Sequence, residues 1–198
     1  MQSYGGFGWS DGTVFNFHPV MLTVGMVYLN GQAILVYRLF RYKSKRILKI
    51  CHAVLHATIF GMTCFGLIAV FRFHDKKSIP NLYSLHSWVG LGLTICFGLQ
   101  FLLGTVVYLF PYASLRIRML YMPIHRSFGL LMFGLAGATA VMGITEKAIF
   151  SSQDCWSHRT CNLADIINWM GLSIALYTLS VLYLVVTPDY KRVPLATD

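Results

Sequence analysis

Five long apolar runs, separated by short polar segments, constrain this chain more than any other feature. They lie near 18–38, 49–71, 82–110, 121–145 and 165–187. Each reaches the roughly 20 residues a helix needs to cross about 30 Å of hydrocarbon. Of the 198 residues, 56% are hydrophobic and 12% charged, against roughly 45–50% and about 25% in soluble domains. One small soluble core cannot enclose that much apolar surface, so the chain needs lipid as a solvent. Strand-sized alternation with turn signals is absent, which argues against a barrel. Gly90, Gly92, Gly98 and Gly104 in the third run permit close helix packing. The expected fold is therefore all-α: a polytopic transmembrane helical bundle of five spans, one domain over 1–198, with no internal repeat.

The formal charge of +9 sits mainly in the short connections, which is the pattern of membrane topology rather than of nucleic-acid binding. Arg38, Arg41, Lys43, Lys45, Arg46 and Lys49 follow the first run, Arg116 and Arg118 the third, and Lys191 and Arg192 the last. If all five runs span, these share one face, predicted to be cytosolic, with the N-terminus outside. The opposite face dilutes Arg72, Lys76, Lys77, Lys147 and Arg159 with Asp75, Glu146, Asp154 and Asp165. Residues 1–15 have no basic start and no apolar stretch, so they do not read as a signal peptide.

Four of the seven histidines open four successive runs: His18, His52, His86 and His125. Successive spans alternate in direction, so His18 matches His86 in depth at the outer face, and His52 matches His125 at the cytosolic face. Two such pairs fit two bis-histidine haems, with both axial positions filled by neutral imidazole, which suits electron transfer. A single helix-end histidine also fits as a residue reaching headgroups; four at alternating matched depths weigh against that. His56 lies one turn after His52 and could take its place, although the depth of His52 better matches His125. His74 and His158 fall in outer connections.

Phe15-Asn16-Phe17-His18-Pro19, Leu82-Tyr83-Ser84-Leu85-His86-Ser87-Trp88 and Met122-Pro123-Ile124-His125 resemble the cytochrome b561 family. So do Val36-Tyr37-Arg38, Gly143-Ile144-Thr145-Glu146-Lys147 and Lys191-Arg192, in order and with matching spacing over nearly the whole chain. The resemblance implies a transmembrane oxidoreductase with two haems b. It would carry electrons from cytosolic ascorbate to monodehydroascorbate or a ferric chelate outside. It places the haem ligands on His18, His86, His52 and His125, and ascorbate on Lys49 and Arg118; a cation pair also suits a small enolate. It puts Arg38, Lys45 and Lys191 near the cytosolic haem, where they could meet propionates. Asn81, Leu82, Tyr83, Ser84 and Glu146 match positions beside the outer haem, and His74 matches an outer histidine associated with metal in one branch. No separate catalytic side chain is expected. Homodimers are common in this family, whose members occupy secretory-vesicle, endolysosomal or plasma membranes.

Two features depart from the family pattern. Six helices are usual there and five are evident here; the first, outside the four-helix haem core, is the one without a counterpart, and Tyr4-Gly5-Gly6-Phe7-Gly8-Trp9 looks like the loop that would follow it. The outer loop 151–162 carries Cys155 and Cys161, close enough for a disulfide in an oxidising compartment, with Trp156 and His158 between them. Competing readings are a shortened regulatory form without electron transfer, and a proton or solute carrier using the same histidines. The carrier would need acidic groups or broken helices at mid-depth, and the run interiors hold no Asp or Glu.

Overall fold

The computed structural model describes residues 6–9, 12–110, 113–151 and 162–193. The readings on Cys155, Trp156, His158 and Cys161 lie outside the described residues. Five helices are long and apolar enough to cross a membrane. They are α1 (Gly12–Leu39), α2 (Lys45–Lys77), α3 (Leu85–Leu109), α4 (Leu115–Ser151) and α5 (Asn162–Val186). The shortest two, of about 25 residues, are roughly 37 Å long at 1.5 Å per residue, enough for the hydrocarbon core.

Local chemistry fixes where these helices begin and end. Ser84 and Ser87 form a reciprocal cap in which the Ser84 hydroxyl accepts from the Ser87 N–H and the Ser87 hydroxyl from the Ser84 N–H. That cap sets the start of α3 two residues before His86. At the other end of the preceding loop, Ser78 adopts a left-handed conformation (φ 54°) and closes α2 through backbone bonds from Ser78 to Asp75 and from Ile79 to His74. Leu82 is also left-handed (φ 56°), and the Trp88 indole N–H donates to its carbonyl at 2.8 Å. Two helices are not regular throughout: α1 contains a π-turn at Thr23–Leu29, and α3 ends in one at Thr105–Leu109.

Helices α1 to α4 form a ring in which each packs on the next and α4 returns to α1. Their shared core joins Met26, Ala33, Ile59, Leu93, Phe97, Met132 and Ala136. Helix α5 lies outside this ring against α1 and α4, with Leu35, Phe133 and Val181 at its contact. Thr63, Thr139 and Thr178, buried in the bundle, each return the hydroxyl to the carbonyl four residues earlier, which satisfies these three donors inside their own helices. Ile95, Leu99, Leu102 and Leu103 on α3, and Leu172, Leu176 and Leu179 on α5, point outward. A surface so continuously apolar belongs in lipid. The chain is an integral multi-pass membrane protein.

The bundle has two distinct ends. Arg41, Lys43, Lys45, Arg46, Arg116, Arg118 and Lys191 gather at what we call the basic end. The loop 78–84 and the start of α1 lie at the far end.

Candidate functional site

At the far end His18 on α1 faces His86 on α3, with ring centroids 6.1 Å apart and planes at 89°. At the basic end His52 on α2 faces His125 on α4, at 6.3 Å and 68°. An imidazole nitrogen bonds a transition metal at about 2.1 Å and its ring centre lies roughly 1 Å beyond, so two imidazoles on one iron have centres roughly 6 Å apart. Both pairs fit that spacing. His56 does not stand opposite His125 in this way. Its ring sits 4.3 Å from that of His52, edge-on at 73°, and 5.5 Å from Phe97.

The outward nitrogens sharpen the fit. His18 Nδ1 lies 3.3 Å from the Gly66 carbonyl, His86 Nδ1 2.9 Å from that of Thr139, and His52 Nδ1 2.7 Å from that of Ala33. A carbonyl only accepts, so each Nδ1 carries the proton and each Nε2 keeps its lone pair for a metal. His125 is the exception: its Nδ1 is buried and has no partner among the described residues. Two glycines make room for the rings. A methyl at Gly143 would come within 2.6 Å of His86 Cε1, and one at Gly104 within 3.2 Å of His125 Cε1. Along α2, His52 and Gly66 are fourteen residues apart, which separates the two pairs by roughly 21 Å of depth.

At the basic end Lys49 and Arg118 converge on the last turn of α3. Lys49 Nζ donates to the Tyr108 carbonyl at 3.1 Å and Arg118 to the Phe110 carbonyl at 3.4 Å, while Arg118 Nε is buried without a partner among the described residues. Tyr108 joins this cation pair to the imidazoles. Its hydroxyl donates to the Arg118 carbonyl at 3.2 Å, its ring stacks on Tyr121 at 5.8 Å, and the two rings lie 5.5 and 5.8 Å from His125. Arg38 donates to the Thr187 carbonyl at 2.9 Å and to that of Val185, closing the end of α5. Lys45 and Lys191 are exposed at the same end.

At the far end Asn81 donates to Asp75 Oδ1 at 3.0 Å, and Leu82 is held by Trp88. Tyr83 is half exposed, with its ring 6.1 Å from His74. Burial, and then the Glu146 carboxylate, push its phenol above the ordinary tyrosine range. Phe15 lies 6.2 Å from His18, with Lys147 above its face. Sequence reasoning missed the second layer: Gln100, Gly104, Gly143, Tyr121 and the three acceptor carbonyls. It also passed over Arg126, an exposed charge inside the fourth apolar run, next to His125. A signal for the glycines was present, since Gly104 follows His86, and Gly143 follows His125, by the same eighteen residues.

A membrane bundle with an opposed imidazole pair near each end defines the class: a transmembrane helical protein that presents paired imidazoles at two depths. The family model for eukaryotic cytochrome b561 matches residues 17–151, which contain all four histidines. The chain belongs to the eukaryotic cytochrome b561 family, whose name implies haem b. It is 46% identical over 190 residues to the plasma membrane ascorbate-dependent reductase CYBRD1 of Xenopus tropicalis, covering 94% of this chain and 67% of that protein. It is 40% identical over 188 residues to the transmembrane ascorbate-dependent reductase CYB561 of Sus scrofa, covering 95% and 74%. With its counterpart in Mus musculus the identity is 39% over 189 residues, covering 95% and 75%.

Proposed function

We propose that this chain is an ascorbate-dependent transmembrane oxidoreductase that takes electrons from ascorbate at the basic end and delivers them to monodehydroascorbate or a ferric chelate at the far end. The basic end faces the cytosol. The carrying observation is the pair of imidazole gaps, 6.1 and 6.3 Å, at opposite ends of one bundle. Haem b in each gap would supply a one-electron iron couple with no axial position left for oxygen.

The protein's own residues prepare both ends. His18, His86 and His52 present unprotonated Nε2 atoms that would hold haem iron, and His125, opposite His52, would be the fourth ligand. Lys49 and Arg118 bind the ascorbate anion, and Arg118 Nε, without a partner among the described residues, leaves a donor for it beside the carbonyl that accepts from Tyr108. Arg38, Lys45 and Lys191 neutralise haem carboxylates at this end; Arg38 does so while closing α5. At the far end Asn81, Leu82, Tyr83 and Ser84 form the wall beside the His18–His86 pair, with Glu146 behind Tyr83. Among the described residues no group of three His, Cys, Asp or Glu side chains could hold an ion. At the far end a ferric chelate would meet His74, whose ring lies beside that of Tyr83. The host membrane is a plasma, endolysosomal or secretory-vesicle membrane, and a homodimer is the proposed assembly.

The test uses proteoliposomes loaded with ascorbate, the basic end inward, with ferric citrate outside. Ferrous iron should form outside only with ascorbate inside. Haem-loaded protein that reduces nothing across a sealed bilayer would overturn the proposal.

A further inference from the structure

The contacts of the four histidines repeat across the bundle although the sequence shows no repeat. His18 reaches the carbonyl fourteen residues beyond His52, and His86 the one fourteen beyond His125. His52 reaches the carbonyl of Ala33, fifteen residues beyond His18. The same rule assigns His125 to Phe101, fifteen beyond His86. That carbonyl is already taken, because Thr105 Oγ1 donates to it at 2.8 Å where the π-turn of α3 begins. His125 Nδ1 is accordingly left without an acceptor among the described residues.

One residue earlier stands Gln100, a half-buried amide at mid-helix in α3. Its Nε2 donates at 3.2 Å to the backbone carbonyl of His125 itself. Gly129, one turn beyond His125 on α4, leaves the space the amide occupies, since a methyl there would come within 2.9 Å of Gln100 Nε2. An amide in hydrocarbon is expensive unless bonded, so Gln100 has a strong reason to stay on this carbonyl. The bond fixes α4 against α3 at the level of His125 and thereby sets the ring's direction from the backbone side. The other three rings are set through their own Nδ1.

We infer that Gln100 is the positioning residue for His125, replacing across α3 and α4 the ring-to-carbonyl bond that His125 lacks. This rests on the reading of His125 as an axial ligand. The test is electron paramagnetic resonance of oxidised, fully loaded protein, with the two low-spin signals assigned through His86→Ala and His125→Ala. Gln100→Met removes the donor and keeps the length. It should shift the basic-end signal, leave the far-end signal in place, and speed loss of the basic-end haem to apomyoglobin at least tenfold.

Both signals unmoved, or both moved alike, would overturn the inference while leaving the ligand reading intact. If His125→Ala keeps both signals, it is the ligand reading that fails. Should Gln100→Met not accumulate, Gly129→Ala decides, because its methyl displaces the same amide without removing it. A basic-end signal unchanged in that variant rejects the role of Gln100.

Discussion

At the far end both imidazoles of the pair are tied through Nδ1 to backbone carbonyls of the next helix, α2 for His18 and α4 for His86, at 3.3 and 2.9 Å. At the basic end His52 has the shortest such bond, 2.7 Å, and His125 has none among the described residues. Around His125 the helix carries aromatic rings instead, Tyr108 and Tyr121, and behind them the Lys49–Arg118 cation pair. The two ends thus share the imidazole spacing and a glycine that clears one ring, and differ in the partner of one Nδ1 and in the groups beyond the rings. Spacing alone serves to seat a metal group. The surroundings decide what small molecule approaches and how strongly the iron holds an electron.

The comparison breaks most visibly if a ligand is removed. His86→Ala should lower the haem content from two to one per chain, with the basic-end spectrum retained; loss of neither would refute the pairing. His56→Ala should retain both haems, because its ring stands edge-on against His52 and does not oppose His125. Loss of the basic-end haem in that variant alone would move the ligand to His56.

Substrate binding should separate the ends next. Lys49→Ala or Arg118→Ala removes a charge-assisted contact of about 1.5–3 kcal/mol, so the ascorbate needed for half-maximal reduction should rise about tenfold or more. Haem content should not change. Stopped-flow reduction at varied ascorbate reads this directly, and an unaltered dependence would place the donor elsewhere.

The glycines give a smaller, graded contrast. Gly143→Ala forces a methyl to 2.6 Å from His86, whereas Gly104→Ala brings one to 3.2 Å from His125. Overpacking of the first kind costs about 1–3 kcal/mol. Haem loss on mild heating should therefore be faster for the far-end haem of Gly143→Ala than for the basic-end haem of Gly104→Ala. The reverse order would mean that the basic end is the tighter of the two.

The subtlest difference is electronic. An Nδ1–H that donates to a carbonyl makes its imidazole a stronger donor to iron and favours the oxidised state. Lacking that bond on His125, the basic-end couple should have the higher midpoint potential in a redox titration. A lower one would mean that the surrounding cations and aromatics act against it.

Much of this architecture was legible in the sequence. Run lengths and loop charges yield five helices, and alternating direction pairs His18 with His86 and His52 with His125, because a helix crossing fixes depth by residue count. What stayed hidden depends on rotation and on backbone atoms. No pattern of side chains announces that the carbonyls of Gly66, Thr139 and Ala33 receive histidine protons. None announces that π-turns interrupt α1 and α3. Arg38 reads from sequence as a partner for a carboxylate, yet its guanidinium also closes α5 through Thr187 and Val185, since the end of a neighbouring helix is invisible in a linear chain. The place of Gln100 depends on two neighbours from another helix, Gly129 and the His125 carbonyl, which the linear chain does not put beside it.

The most direct test of the central claim is to quantify haem per chain in detergent-purified protein and record its absorbance before and after adding ascorbate. Two haems b per chain, both reduced by ascorbate, are expected. Folded protein supplied with haem that binds none, or that binds two and ignores ascorbate, would contradict it.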